Sequence, residues 1–295
     1  MPVWKHYQKA LSIDDAIKAL FHAPGDARLV AGGTDLLLDL QQGRHPPVDT
    51  LVDVTCIPEM LKIEERSGNI FIGAAAPLSK IVRSNLVYEH SQALVEACGL
   101  IGGPQVRNSA TLGGNVAHAL PAADGTIALL ALGARAEVAN NRGLKTLPVE
   151  DLFVGPGLSN LDPQRDLLVG FYLPLNKSGT ASAFKRVMRP QGVALPIINL
   201  AVWLRRKIDP ASDDMIGDIR ISVGPGGPVP TRAKASEDFL RFKTINDQVI
   251  AEAIEILLSE VHLRTSLYRA TSVYRQKLAK VLLGDVLKTA WMRAL

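Results

Sequence analysis

Apolar and polar positions alternate with two different periods along this chain, and the period changes where the elements change. Ser12-Ile13-Asp14-Asp15-Ala16-Ile17-Lys18-Ala19-Leu20 places a capping serine and an acid three residues on ahead of apolar positions at helical spacing, which predicts a helix. Arg28 to Ala31 reads as a short strand, Gly32-Gly33 as a turn, Asp35 to Gln41 as a helical turn ending near Gly43, and Asp49 to Val54 as a strand. From about residue 59 the period shortens. Leu61 to Glu64 and Asn69 to Gly73 predict a hairpin about Arg66-Ser67-Gly68, and Ala134 to Val138 with Lys145 to Pro148 another about Asn140-Asn141-Arg142-Gly143. Between them, helices are expected after Pro77, over Gln92 to Ile101 and over Thr126 to Leu132, with Asp124 placed to cap the last. The stretch Gly102 to Asn115 reads as a loop.

Leu167 to Leu173 is a predicted strand closed by Pro174, and Asn176 to Gly179 a linker. Ala183 to Val187, Ile197 to Arg205 and Ile216 to Val223 form the strands of one antiparallel sheet, followed by helices over Asp247 to Val261 and Thr271 to about Met292. This divides the chain into three α+β units, near 1–55, 56–175 and 178–295.

Composition narrows the function classes. A hydrophobic fraction of 47% with 21% charged residues is that of a globular protein, and the net charge of +4 is scattered rather than gathered into the stripe of a nucleic-acid binder. Apolar runs such as Ala194 to Leu204 fall short of a bilayer span, and no signal peptide opens the sequence, so a cytoplasmic protein without a membrane span is expected. Cys56 and Cys98 are the only cysteines, too few for a four-cysteine iron–sulfur cluster.

The chemistry concentrates in two glycine doublets. Val30-Ala31-Gly32-Gly33-Thr34-Asp35-Leu36 runs an apolar segment into Gly-Gly, a hydroxyl and an acid, and Ala110-Thr111-Leu112-Gly113-Gly114-Asn115 has related grammar. Glycines let backbone N–H groups turn outward around phosphate oxygens, so two such turns could grip a diphosphate between them. A helix-opening turn explains either doublet alone; their pairing favours a dinucleotide. A dinucleotide fold built on G-x-G-x-x-G fits poorly, because that spacing does not occur. No Ser/His/Asp set or helix-borne histidine pair is visible. His118 is as well explained as a structural histidine as a ligand contact, and Lys185 and Arg186 as edge charges as by a cation near an electron-rich ring.

The two doublets together, with Gly103-Pro104-Gln105-Val106-Arg107-Asn108, Pro121, Asp124, Phe184-Lys185 and Ser272-Val273-Tyr274-Arg275, resemble the FAD-binding medium subunit of molybdenum hydroxylases of the xanthine and carbon monoxide dehydrogenase family. The resemblance spans almost the whole chain. It implies a two-subdomain FAD cradle like that of vanillyl-alcohol oxidase, followed by a C-terminal α+β domain with an antiparallel sheet and helices. It implies that the backbone of 31–35 and 111–115 holds the FAD diphosphate, and that Ile101, Gly102, His118 and Asp124 line the cofactor. Val169 and Lys185 fall at later positions near it, and Leu195 where relatives carry an aromatic residue. The implied partners are a large molybdopterin-binding subunit and a small subunit with two [2Fe–2S] clusters, as a dimer of heterotrimers. FAD here would pass electrons to NAD, a quinone or oxygen. A self-contained FAD reductase with the same cradle and a basic scaffold module are the competing readings.

Overall fold

The computed structural model describes residues 3–189, 195–207 and 214–295. The chain opens with a parallel sheet in which β1 (His6–Lys9), β2 (Ala27–Val30) and β3 (Thr50–Asp53) pair in the order β1-β3-β2. α1 (Ile13–Phe21) and α2 (Leu36–Gln41) fill the connections. Ser12 caps α1 as its sequence requires, its Oγ accepting from the Asp15 N–H at 3.1 Å. β1 is exposed at all four positions and carries no apolar alternation, so its strand character comes from pairing with β3 and not from its own pattern.

The second unit holds β4 (Ile63–Arg66), β5 (Asn69–Gly73), then six helices: α3 (Leu78–Val82), α4 (Asn85–His90), α5 (Gln92–Leu100), α6 (Pro104–Ser109), α7 (Leu112–Ala117) and α8 (Asp124–Leu132). It continues with β6 (Arg135–Asn140), β7 (Gly143–Pro148), a small hairpin of β8 (Phe153–Gly155) and β9 (Leu158–Ser159), and β10 (Leu167–Pro174). The antiparallel order β4-β5-β10-β6-β7 inserts a late strand between two hairpins. α8 is buried at all nine positions, as expected of a helix with no polar face.

The third unit is an antiparallel sheet of β11 (Thr180–Met188), β12 (Pro196–Lys207), β13 (Met215–Gly224) and β14 (Thr231–Arg232), with α9 (Lys234–Leu240), α10 (Asp247–Glu260) and α11 (Ser272–Arg293). Both faces of this sheet are covered. Ala181 and Ala183 join the core under α10 and α11, whereas Phe184 and Ala201 join the core of the preceding unit. Two-sided burial explains why β12 reads as a continuous apolar run rather than an alternation. Ala194, the start of that run, lies outside the described residues. Among the described residues no helix is long and apolar enough to cross a membrane.

Candidate functional site

The first glycine bend leaves the C-terminal end of β2 and enters α2. Gly33 needs its glycine, since its φ of +66° lies in the left-handed region. Gly32 needs its glycine for another reason. A Cβ there would overlap the Ser109 carbonyl oxygen and lie 2.8 Å from the Ala110 Cα. The bend is thus packed directly on the backbone where α6 gives way to α7, more than seventy residues on. Among the described residues, no acceptor takes a hydrogen bond from the N–H groups of Ala31, Gly32, Gly33, Thr34 or Asp35. Thr34 and Asp35 are exposed and Asp35 makes no capping bond, while the flanking Val30 and Leu36 belong to a small core beneath.

The second stretch is ordered as two six-residue helices, not as the expected loop. Pro104 opens α6, where its missing N–H costs nothing. Thr111 opens α7 by accepting from the Gly114 N–H at 3.0 Å. Gly113 donates to the Ala74 carbonyl at 2.9 Å and Asn115 to the Thr111 carbonyl at 3.0 Å. The amides of 113–115 are therefore occupied internally, and those of Thr111 and Leu112 are the ones in this bend with no acceptor among the described residues. The second doublet instead provides close packing. A Cβ on Gly113 would meet Ala74 at 2.6 Å, and Gly114 presents an exposed, side-chain-free surface. Asn115 Oδ1 is buried without a donor, one acceptor left over beside Gly125.

A third set of amides compensates. Gly102 turns the chain with φ of +56°, and Arg107 Nη1 donates to the carbonyls of Ile101 (3.2 Å) and Gly102 (2.6 Å). In a trans peptide the following N–H points opposite to the carbonyl. Arg107 thus turns the N–H groups of Gly102 and Gly103 away from itself, and neither has an acceptor among the described residues.

Asp124 is the first residue of α8, and Ala123 is the N-cap, so the expected cap is replaced by an ion pair. The Asp124 carboxylate accepts from Arg186 Nη1 and, at 2.6 Å, from Asn199 Nδ2. Burial pushes the Asp124 carboxyl above its ordinary range against the pull of both partners. Arg186 Nη2 also donates to the Leu100 carbonyl, just ahead of the Gly102 turn. Lys185 lies on the other face of the sheet, its Nζ 3.1 Å from Asp285 of α11. Successive strand residues face opposite ways, so the cation brought toward the glycine turns is Arg186. Val169 is buried in β10 and its carbonyl accepts from the Ala74 N–H at 2.8 Å, beneath Gly113. His118 is half-buried at the end of α7, and Leu195 is exposed ahead of β12. Arg107 and Arg186 hold the Gly102 turn; the sequence offered Arg186 only beside Lys185, as an edge charge or a cation, and gave Arg107 no role of its own. Arg107 was readable only as part of a quoted motif.

Residues 4–176 match the family described as the FAD binding domain in molybdopterin dehydrogenase, and residues 182–290 match the CO dehydrogenase flavoprotein C-terminal domain. The chain belongs to the FAD-binding subunits of the molybdopterin dehydrogenases. It is 29% identical over 286 residues to the xanthine dehydrogenase FAD-binding subunit of Escherichia coli, covering 96% of this chain and 95% of that one. It is 27% identical over 287 residues to the carbon monoxide dehydrogenase medium chain of Hydrogenophaga pseudoflava, covering 97% of each. The solved carbon monoxide dehydrogenase of that organism, lacking the Mo-pyranopterin moiety, superposes with a TM-score of 0.91 over 99% of both chains. These subunits are parts of oxidoreductases, and the fold class expected from the sequence is the one they share.

Proposed function

We propose that this chain is the electron-transfer flavoprotein of a heteromeric molybdenum hydroxylase, seated in the cytoplasm between a small [2Fe–2S] subunit and an external acceptor, with a large molybdopterin-binding subunit as the third partner. The complex it would form is a dimer of heterotrimers. The observation that carries the reading is the seam at Gly32, where the unpaired amides of 31–35 are packed against the chain at Ser109 and Ala110. Free N–H groups at a bend suit phosphate oxygens, and a side-chain-free approach lets a diphosphate come close. FAD, when bound, supplies the redox chemistry that no side-chain set in this chain provides.

The residues fit that group. The amides of 31–35 would hold the diphosphate, with those of Gly102 and Gly103 as a second donor set and Gly114 giving room beside them. The orphaned Asn115 Oδ1 suits a ligand hydroxyl as donor. Ile101, Ala110, Thr111, His118, Asp124 and Val169 support this cleft, directly or from beneath. Arg186, already spent on Asp124 and the Leu100 carbonyl, fixes the turn rather than moving a proton.

Two measurements test the proposal. The purified chain should take up FAD stoichiometrically with quenched fluorescence. In the assembled complex, Gly32→Val should leave the iron–sulfur absorbance bleaching on addition of the substrate while turnover with the acceptor is lost. A flavin-free complex that still reduced its acceptor at the full rate would overturn the proposed electron route.

A further inference from the structure

From Val261 to Gly284 the chain contains no acid, yet it carries Arg264, Arg269, Arg275, Lys277 and Lys280. Lys280 is paired, with Glu255 at 2.8 Å. The three arginines are not: none makes an ion pair or donates a side-chain hydrogen bond to any described residue. Arg275 is the anomaly. It is 1% exposed, and its Nε and Nη1 are buried without partners. An isolated buried cation is among the costliest groups a fold can hold.

Its surroundings add to that cost. Arg275 lies in the first turns of α11, and long helical side chains lean toward the N-terminus. This brings it to the segment where Ser266 and Ala270 form a narrow bridge, the segment that also carries Arg264 and Arg269. Burial, then the charges of Arg269 and Arg264, hold the Arg275 guanidinium below the ordinary arginine value. A fourth cation approaches, since Arg189 Nη2 donates to the Arg269 carbonyl at 3.4 Å. The positive end of a 22-residue helix faces the same place. Thr271 and Thr265 already accept from the Tyr274 and Ser272 amides, so hydroxyls line it. Every charge here has one sign, and every one would be relieved by an anion.

We propose that Arg264, Arg269 and Arg275, gathered at the N-terminus of α11, form a binding site for a phosphoryl anion, separate from the glycine cleft. A phosphoryl group offers three oxygens and up to two charges to three guanidinium forks, whereas a single carboxylate offers two oxygens and one charge. Arg264, exposed, and Arg269, half-buried, form the approach, and Arg275 closes the back.

The test uses the full chain saturated with FAD, so that the cleft at Gly32 is filled, and titrates pyrophosphate by calorimetry with thermal unfolding in parallel. Saturable binding and a raised unfolding temperature are expected. Affinity should fall at least tenfold in Arg275→Gln and in the Arg264→Gln/Arg269→Gln double variant, with flavin content unchanged. Without anion, Arg275→Gln should unfold no lower than the parent chain, because it removes an unpaired buried charge. The double variant changes only accessible side chains and keeps the test valid if Arg275→Gln folds poorly. No saturable binding, equal binding by the variants, or citrate and glutarate binding as tightly as pyrophosphate would each overturn the assignment.

Discussion

Gly32→Ala isolates the seam between the two distant parts of the site. Gly32 is not among the glycines with positive φ, so alanine meets no backbone penalty there, and any effect comes from the added methyl. That methyl would overlap the Ser109 carbonyl oxygen and sit 2.7 Å from the Ser109 carbonyl carbon. Backbone on both sides leaves no flexible side chain to yield, so the two bends must part by about 1 Å, at the overpacking cost of about 1–3 kcal/mol. In a unit this size each kcal/mol lowers the unfolding temperature by about 2–4 °C. On the proposed FAD site, the same displacement would move the amides of 31–35 off the diphosphate. A hydrogen bond to a charged group contributes about 1.5–3 kcal/mol, so losing one weakens FAD by about 10- to 100-fold. Fluorescence-quench titration reads the affinity, and Gly43→Ala supplies the control. Gly43 has φ of +69° and nothing within 4 Å of a Cβ, so alanine there costs about 1 kcal/mol of backbone strain with no steric displacement. FAD affinity in Gly32→Ala equal to that of Gly43→Ala would refute the seam as the determinant of binding.

Two further outcomes follow from buried polar groups. Arg186→Gln strands the Asp124 carboxylate in the core and should cost about 3–5 kcal/mol in urea unfolding, with Arg186→Gln/Asp124→Asn recovering a large part; a single-variant loss below about 1 kcal/mol would show the pair to be idle. The Tyr7 hydroxyl donates to Asp53 at 2.6 Å, and that bond, with burial and the nearby charge, pushes its pKa up to about 12. A raised folded value means this contribution is intact below about pH 10 and lost as the pH climbs toward 12. Unfolding midpoints between pH 9 and 12 should therefore fall more steeply for the parent chain than for Tyr7→Phe, modestly because Tyr7 is half-exposed; equal slopes would remove the argument.

Local pattern alone determined most of the secondary structure and marked Gly32-Gly33 as a candidate phosphate-binding bend. Ser12 before alternating acids and apolars makes α1, the Ser67-Gly68 and Asn141-Arg142 turns make their hairpins, and Gly32-Gly33 between strand and helix makes a half-buried bend whose amides have no acceptor among the described residues. Each depends on residues within a few positions of one another, so local pattern suffices to read it. The tertiary structure alone decided what no local pattern encodes. β1 is a strand because β3 offers it an edge, and the second glycine doublet lies in helix α7 rather than a loop because Thr111 caps it and Gly113 bonds Ala74. Asp124 reads as a helix cap until folding sets Arg186 and Asn199 beside it from sixty-two and seventy-five residues away. The strand period places Lys185 and Arg186 on opposite faces, but which face meets the cleft depends on the sheet being covered from both sides. Contacts between residues far apart in sequence are set by packing, and there the chain's own order carries no signal.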